Sequence, residues 1–185
     1  MSVAVIYGGT RSNGNTEQLT ERVIGEMEAE KILLKDYDIK PIEDYRHHEA
    51  GFPKVEDDYK QLIDRMLSHD VVIFATPIYW YGMSGTLKNF IDRWSQSMKE
   101  YPNFKKKMSE MQTYIVAVGG DAPFIKGLPL VQQFHYIFSF AGASFEGYVL
   151  GEGNKPGEIL QDKQALVAAE QMQKKIKKQM MLALE

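Results

Sequence analysis

The stretch Gly8-Gly9-Thr10-Arg11-Ser12-Asn13-Gly14-Asn15-Thr16 lies between a short apolar run and a helical pattern. A helix starting there presents unpaired N–H groups and a partial positive charge, which together favour an anion. Thr10, Ser12 and Thr16 add hydroxyls, Asn13 and Asn15 add amides, and Arg11 adds a guanidinium. Gly14 lets the backbone turn tightly. Gly9 and Gly14 have the spacing of a P-loop, with Thr16 at its hydroxyl position. Asn15, however, stands where that motif needs a lysine to reach the β- and γ-phosphates, and the G-x-G-x-x-G dinucleotide pattern is missing. The donor set therefore suits one terminal phosphate. The same residues also suit a plain helix start, since Asn15 and Gln18 form a capping-box-like pair.

A second loop, Thr76-Pro77-Ile78-Tyr79-Trp80-Tyr81-Gly82-Met83-Ser84-Gly85-Thr86, follows another apolar run. Ligands bind at the carboxyl ends of strands in open α/β sheets. Tyr79, Trp80 and Tyr81 cannot all enter one core from a loop, so at least one should offer a flat face to a planar ligand. A core gap or a subunit interface would also accommodate these rings. A third loop, Gly119-Gly120-Asp121, can bring backbone N–H groups close to a ligand, although a plain turn would use the same glycines. A phosphate cradle, an aromatic shelf and a strip of backbone donors describe a site for a phosphorylated tricyclic cofactor.

These loops need a frame at whose edge they can meet. Apolar runs at Val3–Tyr7, Ile32–Leu34, Val71–Ala75, Thr113–Val118 and Phe145–Leu150 read as strands. Helical stripes alternate with them: Leu19, Val23 and Met27; Asp57–Ser68; Leu87 through Met98; Leu128–Ala141; and Lys163–Leu184. Such alternation predicts an α/β fold, a five-stranded parallel sheet with helices on both faces. Residues 1–185 read as one domain, interrupted only by the irregular Asp36–Glu56 stretch. Leu128–Ala141 is apolar almost all round, which predicts deep burial or an interface.

Composition narrows the function. The formal net charge of −3 gives no basic footprint for nucleic acid. The absence of cysteine removes disulfides, thiolate nucleophiles and cysteine-based metal sites. The opening apolar run is too short for a membrane span, so a cytoplasmic protein is expected. His47-His48 are adjacent on a loop, a poor arrangement for one metal ion, and no metal site is expected.

The motifs Gly8–Thr16 and Thr76–Trp94, with Leu87-Lys88-Asn89 and Asp92-Arg93 in the second, resemble the NAD(P)H-dependent FMN reductases of flavodoxin-like fold. The resemblance implies strand order 2-1-3-4-5, non-covalent FMN, NADPH or NADH as co-substrate, and a homodimer or homotetramer. It implies that Thr10, Arg11, Asn13, Asn15 and Thr16 hold the FMN phosphate. It also implies that Pro77, Ile78, Tyr79, Trp80, Tyr81, Gly82, Gly119, Gly120 and Asp121 border the isoalloxazine. The similar iron–sulfur flavoproteins carry a cysteine cluster after the second strand, whereas here Asp44–Gly51 has none.

The expected activity is two-electron transfer from a nicotinamide to a small-molecule acceptor, a flavin, quinone or azo-type compound. The cofactor carries the chemistry, so no catalytic side chain is assigned. The alternative is a flavodoxin-type electron carrier that docks to protein partners. Carriers tend to be strongly acidic, and the charge of −3 leans towards an enzyme.

Overall fold

The computed structural model describes residues 1–183. Leu184, assigned from the sequence to the last helix, lies outside the described residues. The elements in chain order are β1 (Val3–Tyr7), α1 (Asn15–Ile24), β2 (Glu30–Leu33), α2 (Tyr59–Met66), β3 (Val71–Pro77), α3 (Gly85–Asp92), α4 (Trp94–Glu100), α5 (Phe104–Ser109), β4 (Gln112–Gly119), α6 (Pro123–Lys126), α7 (Leu128–Ala141), β5 (Ser144–Glu152) and α8 (Lys163–Leu182). The five strands form one parallel sheet of order β2-β1-β3-β4-β5, as the alternation and the family resemblance imply.

Each central strand is apolar on both faces because both faces are covered. Ala4, Ile6, Val72, Phe74, Ile115 and Ala117 point into a core shared with α2, α3, α4, α5 and α7. Their neighbours Val3, Val5, Val71, Ile73, Tyr114 and Val116 pack beneath α1 and α8. Phe74 lies at the centre of the first core, with its ring 5.2 Å from Phe138, 5.8 Å from Phe134 and 6.1 Å from Trp94. The register pairs Ile6 with Phe74 and Phe74 with Ile115, and carries the ends of β1, β3 and β4 to one edge.

Three expectations need correction. The first helix stops at Ile24 and does not reach Met27. Gly25 takes φ +54° and packs so tightly on Gln173 that a side chain there would overlap it. The stripe from Leu87 to Met98 is two helices joined at Arg93. Arg93 is buried, with Nη1 2.6 Å from Asp57 Oδ2 and also donating to the Lys40 carbonyl, its Nε donating to Gln96, and its guanidinium over the Tyr59 ring. That clamp, with Asn89 donating to the Ile39 carbonyl, ties the long loop after β2 to the helical layer. Finally, of the two alternatives for Leu128–Ala141 only deep burial is overturned, since α7 is buried on one side only. Phe134 and Phe138 lie in the core, while Tyr136 and Phe140 face solvent.

Candidate functional site

The loop after β1 is pinned at both ends. Gly8 donates to the Ala75 carbonyl and accepts from the Ser84 hydroxyl at 2.7 Å. A side chain at Gly8 would lie 2.7 Å from Leu87 Cβ, so only glycine lets β1 and α3 approach this closely. At the far end Asn13 adopts φ +54°. Its N–H donates to Glu17 Oε2 at 2.6 Å, and its carbonyl accepts from the Gln18 side chain at 2.7 Å. The first turn of α1 thus folds back to brace the loop, a variant of the capping box.

The first intrahelical bond of α1 runs from the Gln18 N–H to the Gly14 carbonyl. The N–H groups of Asn15, Thr16 and Glu17 have no partner among the described residues, nor does the Thr16 hydroxyl. They open onto a cavity of about 210 Å³ lined also by Thr10, Arg11 and Lys35. Two cations, four orphan donors and a helix N-terminus face Glu17 as the single carboxylate among the lining residues. The arrangement favours a multiply charged anion.

The cavity continues along the sheet edge, past Tyr7 and Ala75, to Pro77, Ile78 and Tyr79 on one side and Val118, Gly119 and Gly120 on the other. Ile78 donates to the Val118 carbonyl at 2.8 Å, so it is held as firmly as a strand residue. Gly119 lets the Ile78 side chain close over β4, since a Cβ there would stand 3.1 Å from it. Burial and the Glu21 carboxylate, 2.8 Å from the Tyr7 hydroxyl, push that phenol above its ordinary range. Tyr7 is therefore a fixed neutral wall of the cavity.

The remaining aromatics do not line this slot. Tyr79 and Gly82 exchange two backbone hydrogen bonds of 3.0 Å, closing a two-residue turn. Trp80 (φ +48°) and Tyr81 (φ +64°) occupy its centre, the conformation of a type I′ turn in which Asn-Gly is usual. The Trp80 side chain is 96% exposed. The Tyr81 hydroxyl donates to Asp121 at 3.0 Å, and Lys126 grips the same carboxylate at 2.7 Å. These donors hold the Asp121 carboxyl below the usual carboxylate range. Trp80, Tyr81 and Asp121 instead border an adjoining cavity of about 180 Å³ that shares Ile78, Gly119 and Gly120 with the first.

Of the residues singled out from the sequence, Thr10, Arg11, Asn15, Thr16, Pro77, Ile78, Tyr79, Gly119 and Gly120 meet around the main cavity. Asn13 braces the loop from behind, Gly82 closes the turn, and Trp80, Tyr81 and Asp121 stand to one side. Asn15 lines the cavity, but its carboxamide is engaged elsewhere, donating to the Lys155 carbonyl and accepting from Gly157 N–H. Tyr7, Leu33, Lys35, Gly153 and Asn154 are lining residues that sequence reasoning missed. Their signal was positional, since each sits at or just beyond a strand's carboxyl end. Among the described residues no group of three or more His, Asp or Glu side chains is placed to hold a metal ion. His47 and His48 are exposed on the loop after β2.

A family model described as NADPH-dependent FMN reductase matches residues 1–146. The chain is 59% identical over 177 residues to YwqN of Bacillus subtilis (strain 168), a protein provisionally named as an NAD(P)H-dependent FMN-containing oxidoreductase. That match covers 95% of this chain and 98% of YwqN. It is similar to a solved structure described as the Trp repressor binding protein from Bacillus subtilis, with TM-score 0.79 and 52% identity, covering 92% of this chain and 97% of that one. An iron–sulfur flavoprotein of Archaeoglobus fulgidus is 33% identical over 90 residues, 46% of this chain and 45% of its own. Kinship to the iron–sulfur flavoproteins is thus more distant than the motifs alone imply.

Proposed function

This chain belongs to the NADPH-dependent FMN reductase family, and from that premise we propose which residues hold its flavin and what kind of acceptor it reduces. The protein is an NAD(P)H-dependent, FMN-containing oxidoreductase. FMN, when bound, supplies the two-electron chemistry between the nicotinamide and the acceptor. The observation that carries the site assignment is one continuous cavity with orphan N–H donors and cations at one end and a slot between two strand ends at the other.

The residues fit this cofactor. Arg11, Thr10, the Thr16 hydroxyl and the N–H groups of Asn15 and Thr16 bind the phosphate, and the dipole of α1 adds to the attraction. Asn13 supports them through its backbone ties. Pro77, Ile78 and Tyr79 form one wall of the ring slot, and Gly119 and Gly120 form the other. Backbone N–H groups at the exposed Gly120–Asp121 turn are positioned to stabilise negative charge developing at the ring. No side chain is assigned as acid, base or nucleophile.

Trp80, Tyr81 and Asp121 line the annex beside the slot, so they act on the acceptor and leave the phosphate untouched. The acceptor is a small planar molecule, a flavin, quinone or azo-type compound, drawn to an open slot flanked by aromatic rings. The exposed Ile125, Leu128, Tyr136 and Phe140 form an apolar face that suits a subunit contact in a homodimer or homotetramer. Among the described residues no helix is long and apolar enough to cross a membrane, and the cysteine-free composition is compatible with work in the cytoplasm.

Anaerobic titration of the flavin-loaded protein with NADH and NADPH tests the activity. Loss of the visible flavin absorption without any partner protein is expected. An unchanged spectrum with both nucleotides would return the protein to the electron-carrier class.

A further inference from the structure

The family match ends at residue 146, yet the cavity has a wall beyond it, built by the loop that follows β5. Gly153 and Asn154 line the cavity on this loop. The loop is fixed from two sides. The Asn15 carboxamide donates to the Lys155 carbonyl at 2.9 Å and accepts from the Gly157 N–H at 2.8 Å. Glu158 Oε2 accepts from the N–H groups of both Asn154 and Lys155 at 2.8 Å. These contacts draw the Glu158 carboxyl below its ordinary range. Gly157 takes φ +83°, a turn that suits glycine.

The loop also touches both ends of the cavity. A Cβ on Gly153 would lie 2.9 Å from Asn15 Nδ2, at the α1 end. A Cβ on Gly120 would lie 2.9 Å from Asn154 Cβ and 3.2 Å from its Cγ, at the β4 end. Glycine at 120 is thus what lets the Asn154 side chain settle beside the slot. The Asn154 carboxamide itself has no hydrogen-bond partner among the described residues. A braced loop therefore holds an exposed side chain, its donor and acceptor uncommitted, at the β4 end of the cavity.

We infer that Asn154 is a specificity-determining residue of the flavin site, its carboxamide pairing with the pyrimidine edge of the isoalloxazine. An amide offers one N–H donor side and one carbonyl acceptor, the complement of an imide edge that alternates carbonyl and N–H. This rests on the FMN assignment above and extends it to a residue outside the matched stretch. Asn15 then has two functions: its backbone faces the phosphate while its side chain positions the loop that reads the ring.

Only the main chain of Asn154 is tied down, so Asn154→Ala leaves the loop's anchors intact. FMN and riboflavin binding are measured by flavin fluorescence, and the bound flavin's midpoint potential by dye equilibration. Asn154→Ala is expected to weaken FMN and riboflavin by the same factor, about 3- to 10-fold. Asn154→Asp is expected to make the midpoint potential more negative, because a carboxylate beside the ring opposes its gaining electrons. Glu158→Ala, which frees the loop, should weaken FMN less than additively when combined with Asn154→Ala. Affinities within twofold of wild type, or weakened binding with no shift of potential in Asn154→Asp, would overturn the pairing. Wild-type protein that binds neither flavin would instead remove the cofactor assignment on which it rests.

Discussion

The loop after β1 and the turn after β3 stand at the same sheet edge, but they are built on opposite principles. In the first, residues with unusual conformations are supported: the N–H and carbonyl of Asn13 are both bonded to side chains of α1. The orphan groups are held in reserve on one side. In the second, two aromatic residues occupy left-handed conformations, and a Tyr81–Asp121–Lys126 tie on the surface supports them. The first is arranged for affinity towards a charge, whereas the second keeps a ring exposed at a cost in backbone strain.

The largest expected effect separates these roles. Arg11→Ala combined with Thr16→Ala should weaken FMN about 30-fold or more, since it removes one charge-assisted and one hydroxyl contact. Trp80→Ala should change FMN affinity less than about twofold, within the scatter of surface substitutions. Flavin fluorescence titration reads both, and comparable losses would erase the distinction between the loops.

A second test concerns the strain. Replacing Trp80-Tyr81 by Asn-Gly supplies the residues a type I′ turn prefers, and should stabilise the fold by about 1–3 kcal/mol. For a chain of this size that raises Tm by about 2–4 °C per kcal/mol. The same variant should lose preference among quinone and azo acceptors while its FMN affinity holds. A lower Tm would show that the rings stabilise the turn by contact.

The smallest effect is that of pH on the surface tie. Asp121 has its carboxyl lowered in the folded protein by Lys126 and Tyr81. Its contribution is therefore complete above the unfolded carboxylate value of about 4 and is lost as pH falls through the lower folded value. Emission from the exposed Trp80 should stay constant from neutral pH down to about 5 and change only below about 4. A change centred near pH 6 would assign the turn's support to another group.

The two loops were also unequally legible. The loop proposed to hold the phosphate could be picked out from Thr10, Arg11 and Thr16 because its features are local: a strand end, a glycine and a helix start within a few residues. The aromatic turn was less legible, because the direction of each ring depends on a bond between Tyr79 and Gly82 that composition does not encode. The break at Arg93 was hidden for a similar reason. Its partner Asp57 lies 36 residues earlier, and the stripe through Leu87, Phe90, Ile91 and Trp94 looks continuous without it.

Apolar runs by themselves located the five strands, the three central ones apolar along nearly their whole length because both their faces are covered, and apolar stripes marked the larger helices but not α5, α6 or the break at Arg93. The donor types of the first loop pointed to an anion, the reading on which the proposed FMN site rests. Which side chains face that anion was decided only by the tertiary structure. Asn15 and the loop after β5 meet across more than 130 residues, and Gly120 makes room for Asn154 through a contact between two strand ends. Such proximities depend on the order of strands in the sheet, which local sequence pattern does not carry.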